Sequence, residues 1–164
     1  MDLVKLKNKI DIKAEYESYL HRYIFKLKEL KREEIKNIFK GFKNFFKNEG
    51  GFKFKENEHS IKAEYKNHYI VLDIDIYKNI ESKDFFLEGS IKTFEKSEFG
   101  FFADGVCEKE LIFHSADENS YEGMVADIAF FKEFLEGKIN YSFKYKISGR
   151  PEVYDDIEGL MNGL

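Results

Sequence analysis

Two aspartates separated by one residue stand in the most apolar stretch of the chain, Val71-Leu72-Asp73-Ile74-Asp75-Ile76-Tyr77. On a β-strand, residues i and i+2 project from the same face, so Asp73 and Asp75 would present two carboxylates side by side. Such a pair can share Mg²⁺ or Mn²⁺ through hard oxygen ligands, as metal-assisted nucleotidyl or phosphodiester chemistry requires. His114, in Ile112-Phe113-His114-Ser115, is placed to complete the set. A plainer reading competes with this one. Leu72, Ile74 and Ile76 need a core, alternation then puts polar residues between them, and both carboxylates face water. On that reading the chain has no catalytic residue and no metal or other cofactor.

The seven-residue segment resembles the hydrophobic-Asp-hydrophobic-Asp strand of polymerase-β-like nucleotidyltransferases and of archaeo-eukaryotic primases. The resemblance implies Asp73 and Asp75 as cation ligands, with His114 in the place of the primase histidine. The nucleotidyltransferase pattern carries a Gly-Ser turn just ahead of its strand; here Gly50-Gly51 lies more than twenty residues upstream. Glu56 or Glu58 followed by Glu64-Tyr65-Lys66 imitates a nuclease triplet, in a chain where Glu and Lys are abundant enough to produce such triplets by chance. His21, His59, His68 and His114 show neither HExxH nor i, i+4 spacing. Cys107 is the one cysteine, so no disulfide can form within the chain and no four-cysteine zinc site exists. GxxxxGK, GxGxxG and GxSxG are all missing, which removes the P-loop, dinucleotide-binding and α/β-hydrolase readings.

Charge is unevenly spread. Residues 1–50 carry 13 basic and 8 acidic side chains, and residues 51–164 carry 14 and 23, so a net charge of -4 divides into +5 and -9. Asp104, Glu108, Glu110, Asp117 and Glu118 concentrate acid around one expected hairpin, a surface suited to a basic protein partner. Three arginines in the whole chain and a pI of 5.7 argue against nucleic acid. A lone cysteine fits a reducing cytoplasm, the first residues lack the apolar run of an export signal, and no apolar run approaches the roughly 20 residues that span a bilayer. The first expectation is therefore a small cytoplasmic protein working by stoichiometric protein-protein binding, as an inhibitor, immunity protein, chaperone or accessory subunit. The alternative is a divalent-metal-dependent enzyme using Asp73, Asp75 and His114.

These residues must be positioned by elements that the hydrophobic period predicts. Leu3, Leu6, Ile10, Tyr16, Tyr19, Leu20, Tyr23, Ile24, Leu27 and Leu30 give one helix, and Ile35, Ile38, Phe39, Phe42, Phe45 and Phe46 give a second that Gly50-Gly51 ends. Lysines opposite that second stripe suit either a membrane surface or a core helix; the sheet that follows needs a cover, so the helix is assigned to the core and no membrane contact is expected. From Phe52 the period falls to two. A three-stranded meander is expected over 52–77, then strands at 85–94, 99–103 and 106–113, the last two joined by an Asp104-Gly105 turn. A helix over 120–136 with Asn119 and Glu122 as its capping pair, a strand over 139–147 and a short helix from Pro151 to Met161 complete the chain. The fold class is α+β: two N-terminal helices and a later helix on an antiparallel sheet of about six or seven strands, in one domain, with 1–50 helical and 51–164 mainly sheet. Helix followed by curved meander is similar in element order to cystatin-like folds, which implies a sheet able to wrap a small pocket.

Overall fold

The computed structural model describes residues 1–109 and 120–164. Among them the order is α1 (Leu3–Lys47), β1 (Lys53–Glu56), β2 (Ser60–Tyr65), β3 (His68–Asp73), α2 (Ile76–Glu81), β4 (Phe86–Lys92), β5 (Glu98–Cys107), α3 (Tyr121–Leu135), β6 (Tyr141–Ile147) and α4 (Ile157–Asn162). The six strands form one antiparallel sheet in sequence order, β1-β2-β3-β4-β5-β6, so the fold is α+β as the period change at Phe52 implies. The chain divides into two compact units: residues 1–27 with 107–141, and residues 28–106 with 142–164.

The first unit is helical and aromatic. Tyr23 of α1 packs its ring against Phe130, Phe131 and Phe134 of α3, and Tyr16 meets Phe131. Burial pushes the Tyr23 hydroxyl well above its ordinary range, with the nearby Cys107 and Asp127 adding to the effect. Ser120 caps α3 by accepting the Gly123 N–H at 2.9 Å, so the cap falls on Ser120 and not on Asn119, which lies outside the described residues.

The second unit holds the sheet. Its inner face carries Ile61 and Ala63 of β2, Leu72 of β3, Leu87 and Ile91 of β4, Phe101 and Ala103 of β5, and Phe143, Tyr145 and Ile147 of β6. Ile35, Ile38, Phe39, Phe42 and Phe46 of α1 complete this core. Each of the larger side chains taken out of water contributes about 1.5–3 kcal/mol. Tyr145 also donates its hydroxyl to Glu34 of α1, and Lys43 pairs with Glu56 of β1.

Several expectations are corrected. The two N-terminal helices are one, because Lys31-Arg32-Glu33-Glu34 contains no breaker and every member is a good helix former. The buried stripe passes straight through this segment, from Leu27 and Leu30 by way of Lys31 to Ile35 and Ile38. The third strand stops at Asp73 and does not reach Tyr77; Asp75 is instead the N-cap of α2, its Oδ1 accepting the Lys78 N–H at 3.1 Å. Nor is there a turn at Asp104-Gly105. β5 runs through both, and Gly105 is needed because a Cβ there would lie 2.2 Å from the Phe85 ring. Pro151 precedes an extended segment in which Tyr154 exchanges two backbone hydrogen bonds with Tyr145, each 2.8 Å; α4 starts only at Ile157, capped by Asp156. Residues 110–113 of the expected strand 106–113 lie outside the described residues.

The early end of β3 leaves a structural problem that two buried polar side chains solve. β3 pairs with β4 only at Val71↔Lys92, Leu72↔Ile91 and Asp73↔Ser90. Beyond that point Asn79 of α2 takes over: its Oδ1 accepts the Glu88 N–H at 2.8 Å and its Nδ2 donates to the Glu88 carbonyl at 3.0 Å, as a paired strand residue would. Lys31 of α1, with no exposed surface, then donates from Nζ to the carbonyls of Asn79, Ser82 and Asp84 at 2.5, 2.7 and 3.0 Å. Burial lowers the Lys31 pKa from 10.5 to about 8, against the pull of the Asp84 carboxylate and with a small push from Lys28.

Replacing Lys31→Met leaves those carbonyls without their donor and should lower unfolding free energy by about 2–3 kcal/mol in urea titrations. Because the folded pKa lies below the unfolded one, the unfolded chain binds more protons between about pH 8 and 10.5. Wild-type stability gains a rising contribution with pH across that window, which the Met variant should lack.

Candidate functional site

The inner face of the sheet extends past the helix that covers it. Phe46 is the last buried residue of α1, and Gly50 and Gly51, at φ 72° and 79°, reverse the chain toward β1. The β2–β3 hairpin continues beyond this point. Its turn is Lys66-Asn67, both left-handed at φ 48° and 64°, the two-residue geometry that strand twist favours. His68 therefore belongs to β3, directly opposite Tyr65 and in line with the Ala63↔Ile70 pair.

Five rings gather around the uncovered face. Phe52 packs on Phe46 and on Tyr65 with centroids 4.8 and 5.3 Å apart, and Phe94, from the β4–β5 turn, packs on His68 at 5.2 Å. With Tyr69, and with Ala63 and Ile70, they bound a cleft of about 200 Å³. Tyr65, Tyr69 and Phe94 are 43%, 51% and 56% exposed, far more than core aromatics. One cation stands at the rim, Lys66, whose Nζ lies 5.3 Å from the Tyr65 ring centre; Lys62, 5.1 Å from the Tyr69 ring centre, alternates onto the opposite face of the hairpin from Ala63 and Tyr65. An apolar concavity with a positive rim can seat an apolar group whose neighbours are anionic. Pockets that enclose a whole small molecule run to about 300–1,000 Å³, so this cleft matches the size of a side chain better than that of a metabolite.

A second recess, of about 220 Å³, is polar and includes Glu34, Asn37, Lys40, Tyr145, Asp156 and Glu158. Much of its chemistry is already engaged. Glu34 accepts the Tyr145 hydroxyl, which burial and then this bond hold protonated far above its ordinary range, and Asp156 Oδ1 accepts the Gly159 N–H at 2.7 Å.

The residues singled out in the sequence are placed as follows. Asp73 closes β3, half-buried and opposite Ser60 and Ser90, whereas Asp75 is committed to its cap. The geometry that would have aligned the two carboxylates on one strand face is thus absent at Asp75. No group of three or more His, Cys, Asp or Glu side chains able to hold a metal ion occurs among the described residues. His114, Glu110, Asp117 and Glu118 lie outside them. Asp104 is half-buried in β5 opposite Phe86, and the Glu108 carboxylate accepts the Asn140 N–H at 3.0 Å. Of the remaining histidines, His59 accepts the Ile76 N–H on Nδ1 at 3.2 Å and packs on Tyr77. Burial raises the Cys107 thiol, which makes it a poor nucleophile.

The cleft residues escaped the sequence reading because strand alternation accounts for Tyr65 and Ile70 as ordinary core. The available signal was an aromatic and a histidine flanking a two-residue turn, where polar residues are usual. No protein-family model matches the chain, and no curated protein or solved structure matches it either.

Asp75→Ala should lower stability by about 1 kcal/mol through loss of the α2 cap, while Asp75→Asn, which keeps an acceptor, should stay within a few tenths of wild type. Paired denaturant titrations read the difference.

Proposed function

We propose that this protein acts by stoichiometric, non-catalytic binding of another protein, and that the aromatic cleft is where it holds that partner. The observation that carries the reading is Tyr65 and Phe94, both strongly exposed around an apolar floor that includes Phe52, Ala63 and Ile70. Rigid aromatic side chains that bury large areas at little entropic cost are the residues that dominate protein interfaces. Lys66 at the rim gives the occupant its chemistry: an acidic segment that inserts one apolar side chain and sets a carboxylate against this ammonium group. Inhibitor, immunity protein, chaperone and accessory subunit are roles compatible with such a contact.

The acidic residues Asp104 and Glu108 remain a possible second contact for a basic partner, but Glu108 is tied to Asn140 and offers less free charge than the composition suggests. The cleft is the stronger candidate because its exposed groups have no comparable structural task.

The test is affinity capture with the wild type and a Tyr65→Ser/Phe94→Ser variant in parallel, followed by calorimetry on any partner recovered. A one-to-one partner bound by the wild type and weakened at least about tenfold in the variant supports the reading. A partner held equally by both proteins removes the cleft from the contact, and added salt should weaken the wild-type complex if Lys66 steers it.

A further inference from the structure

We propose that the first three turns of α1 form an interfacial anchor that lays Leu3, Leu6 and Ile10 on an anionic lipid surface. The inference is independent of the aromatic cleft. Tyr16 is the first buried residue of α1, and residues 1–11 are all exposed, so the first turns draw no support from the core, and a helical stretch of that length is marginal in water by itself. Yet Leu3, Leu6 and Ile10 are 70%, 43% and 58% exposed. At 100° per residue the three fall within about 60° of one another, on one stripe. The middle of this stripe lies about 110° round the helix from the positions of Tyr16, Tyr23 and Leu27, which pack further along.

Lysines surround the stripe. Lys7 borders it on one side and Lys13 on the other, with Lys5 and Lys9 further round, against only Asp2 and Asp11. This is the pattern of a helix lying in an interface: apolar side chains enter the acyl boundary, and flanking lysine stems follow the surface so that their ammonium groups reach anionic headgroups. Each lysine near such a surface adds to the attraction.

The same stripe is poorly suited to a helical protein partner. It covers about one heptad, whereas a coiled-coil seam needs at least three, and in a second copy the bordering lysines would face lysines. A lipid surface needs no register and supplies the opposite charge. No helix among the described residues is long and apolar enough to cross a membrane, so the contact proposed is with the surface only.

The experiment is co-sedimentation of the whole protein with large unilamellar vesicles, either of phosphatidylcholine alone or of phosphatidylcholine mixed with phosphatidylglycerol. Binding should appear only on the mixed vesicles and fall as salt is raised. Leu6→Glu with Ile10→Glu should weaken it about tenfold or more, and so should Lys7→Glu with Lys9→Glu, both with unchanged helix content by circular dichroism. Equal partition onto both vesicle types, or binding that survives either double substitution, overturns the proposal. So does lipid-free self-association that the Leu6/Ile10 variant abolishes without any vesicle binding by the wild type, since the face would then belong to a second copy.

Discussion

β4 is seven residues long, and β3 supplies backbone partners for three of them. A strand left half-paired inside a sheet would expose or bury unsatisfied amides, each costing about 1–3 kcal/mol if buried. The side-chain amide of Asn79 resolves this by presenting a donor and an acceptor to Glu88 with the spacing of a peptide group. That solution holds only if α2 stays in place. Lys31 holds it there, gathering the carbonyls at the end of α2 and in the loop after it around one ammonium on α1. Sheet completion, the short helix and the long helix are therefore one coupled arrangement, in which buried polar groups fix position while apolar contacts supply most of the stabilisation.

From that anchoring follows what the sheet leaves uncovered. With Lys31 seated over α2, the stripe from Ile35 to Phe46 lies along the inner face, and the paired glycines end the cover there. The hairpin turns at Lys66-Asn67 and beyond Lys92 carry aromatic residues past the helix end, where half of each ring stays in water. A core that merely needed filling would not leave Tyr65 and Phe94 so exposed around one floor. Phe42 and Phe101, by contrast, are fully buried.

How much of this was legible in the sequence depends on whether a residue obeyed the period of its element. β1, β2, α3 and β6 announced themselves because Phe54, Ile61, Ala63, Phe131, Phe143 and Tyr145 fall on the expected faces. The single long helix was hidden by Lys31, a charged residue at a core position, which read as a boundary between two helices. α2 was hidden because six residues contain less than two full turns, and its Ile76, with Ile74 just ahead of it, also satisfied strand alternation. Gly105 mimicked a hairpin turn although its small size serves Phe85. Asn79 and Lys31 could not have been singled out in a chain with many lysines and asparagines; their roles come from partners 48 and 9 residues away in sequence. The Asp73/Asp75 pair shows the reverse error, in which a spacing meaningful on a strand lost its meaning when the strand ended between them.

Two surfaces carry the proposals made for this molecule: a side-chain-sized aromatic cleft with Lys66 at its rim, and an exposed, lysine-bordered stripe on the first turns of α1. The cleft belongs to a sheet whose least conventional feature is a side chain standing in for a strand. Native-state hydrogen exchange at the Glu88 amide tests that feature directly. Bonded to Asn79 Oδ1, this amide should exchange as slowly as the hydrogen-bonded ladder amides of β4. Exchange at the rate of an unprotected amide would contradict the account, because β4 would then be open where Asn79 is said to complete it.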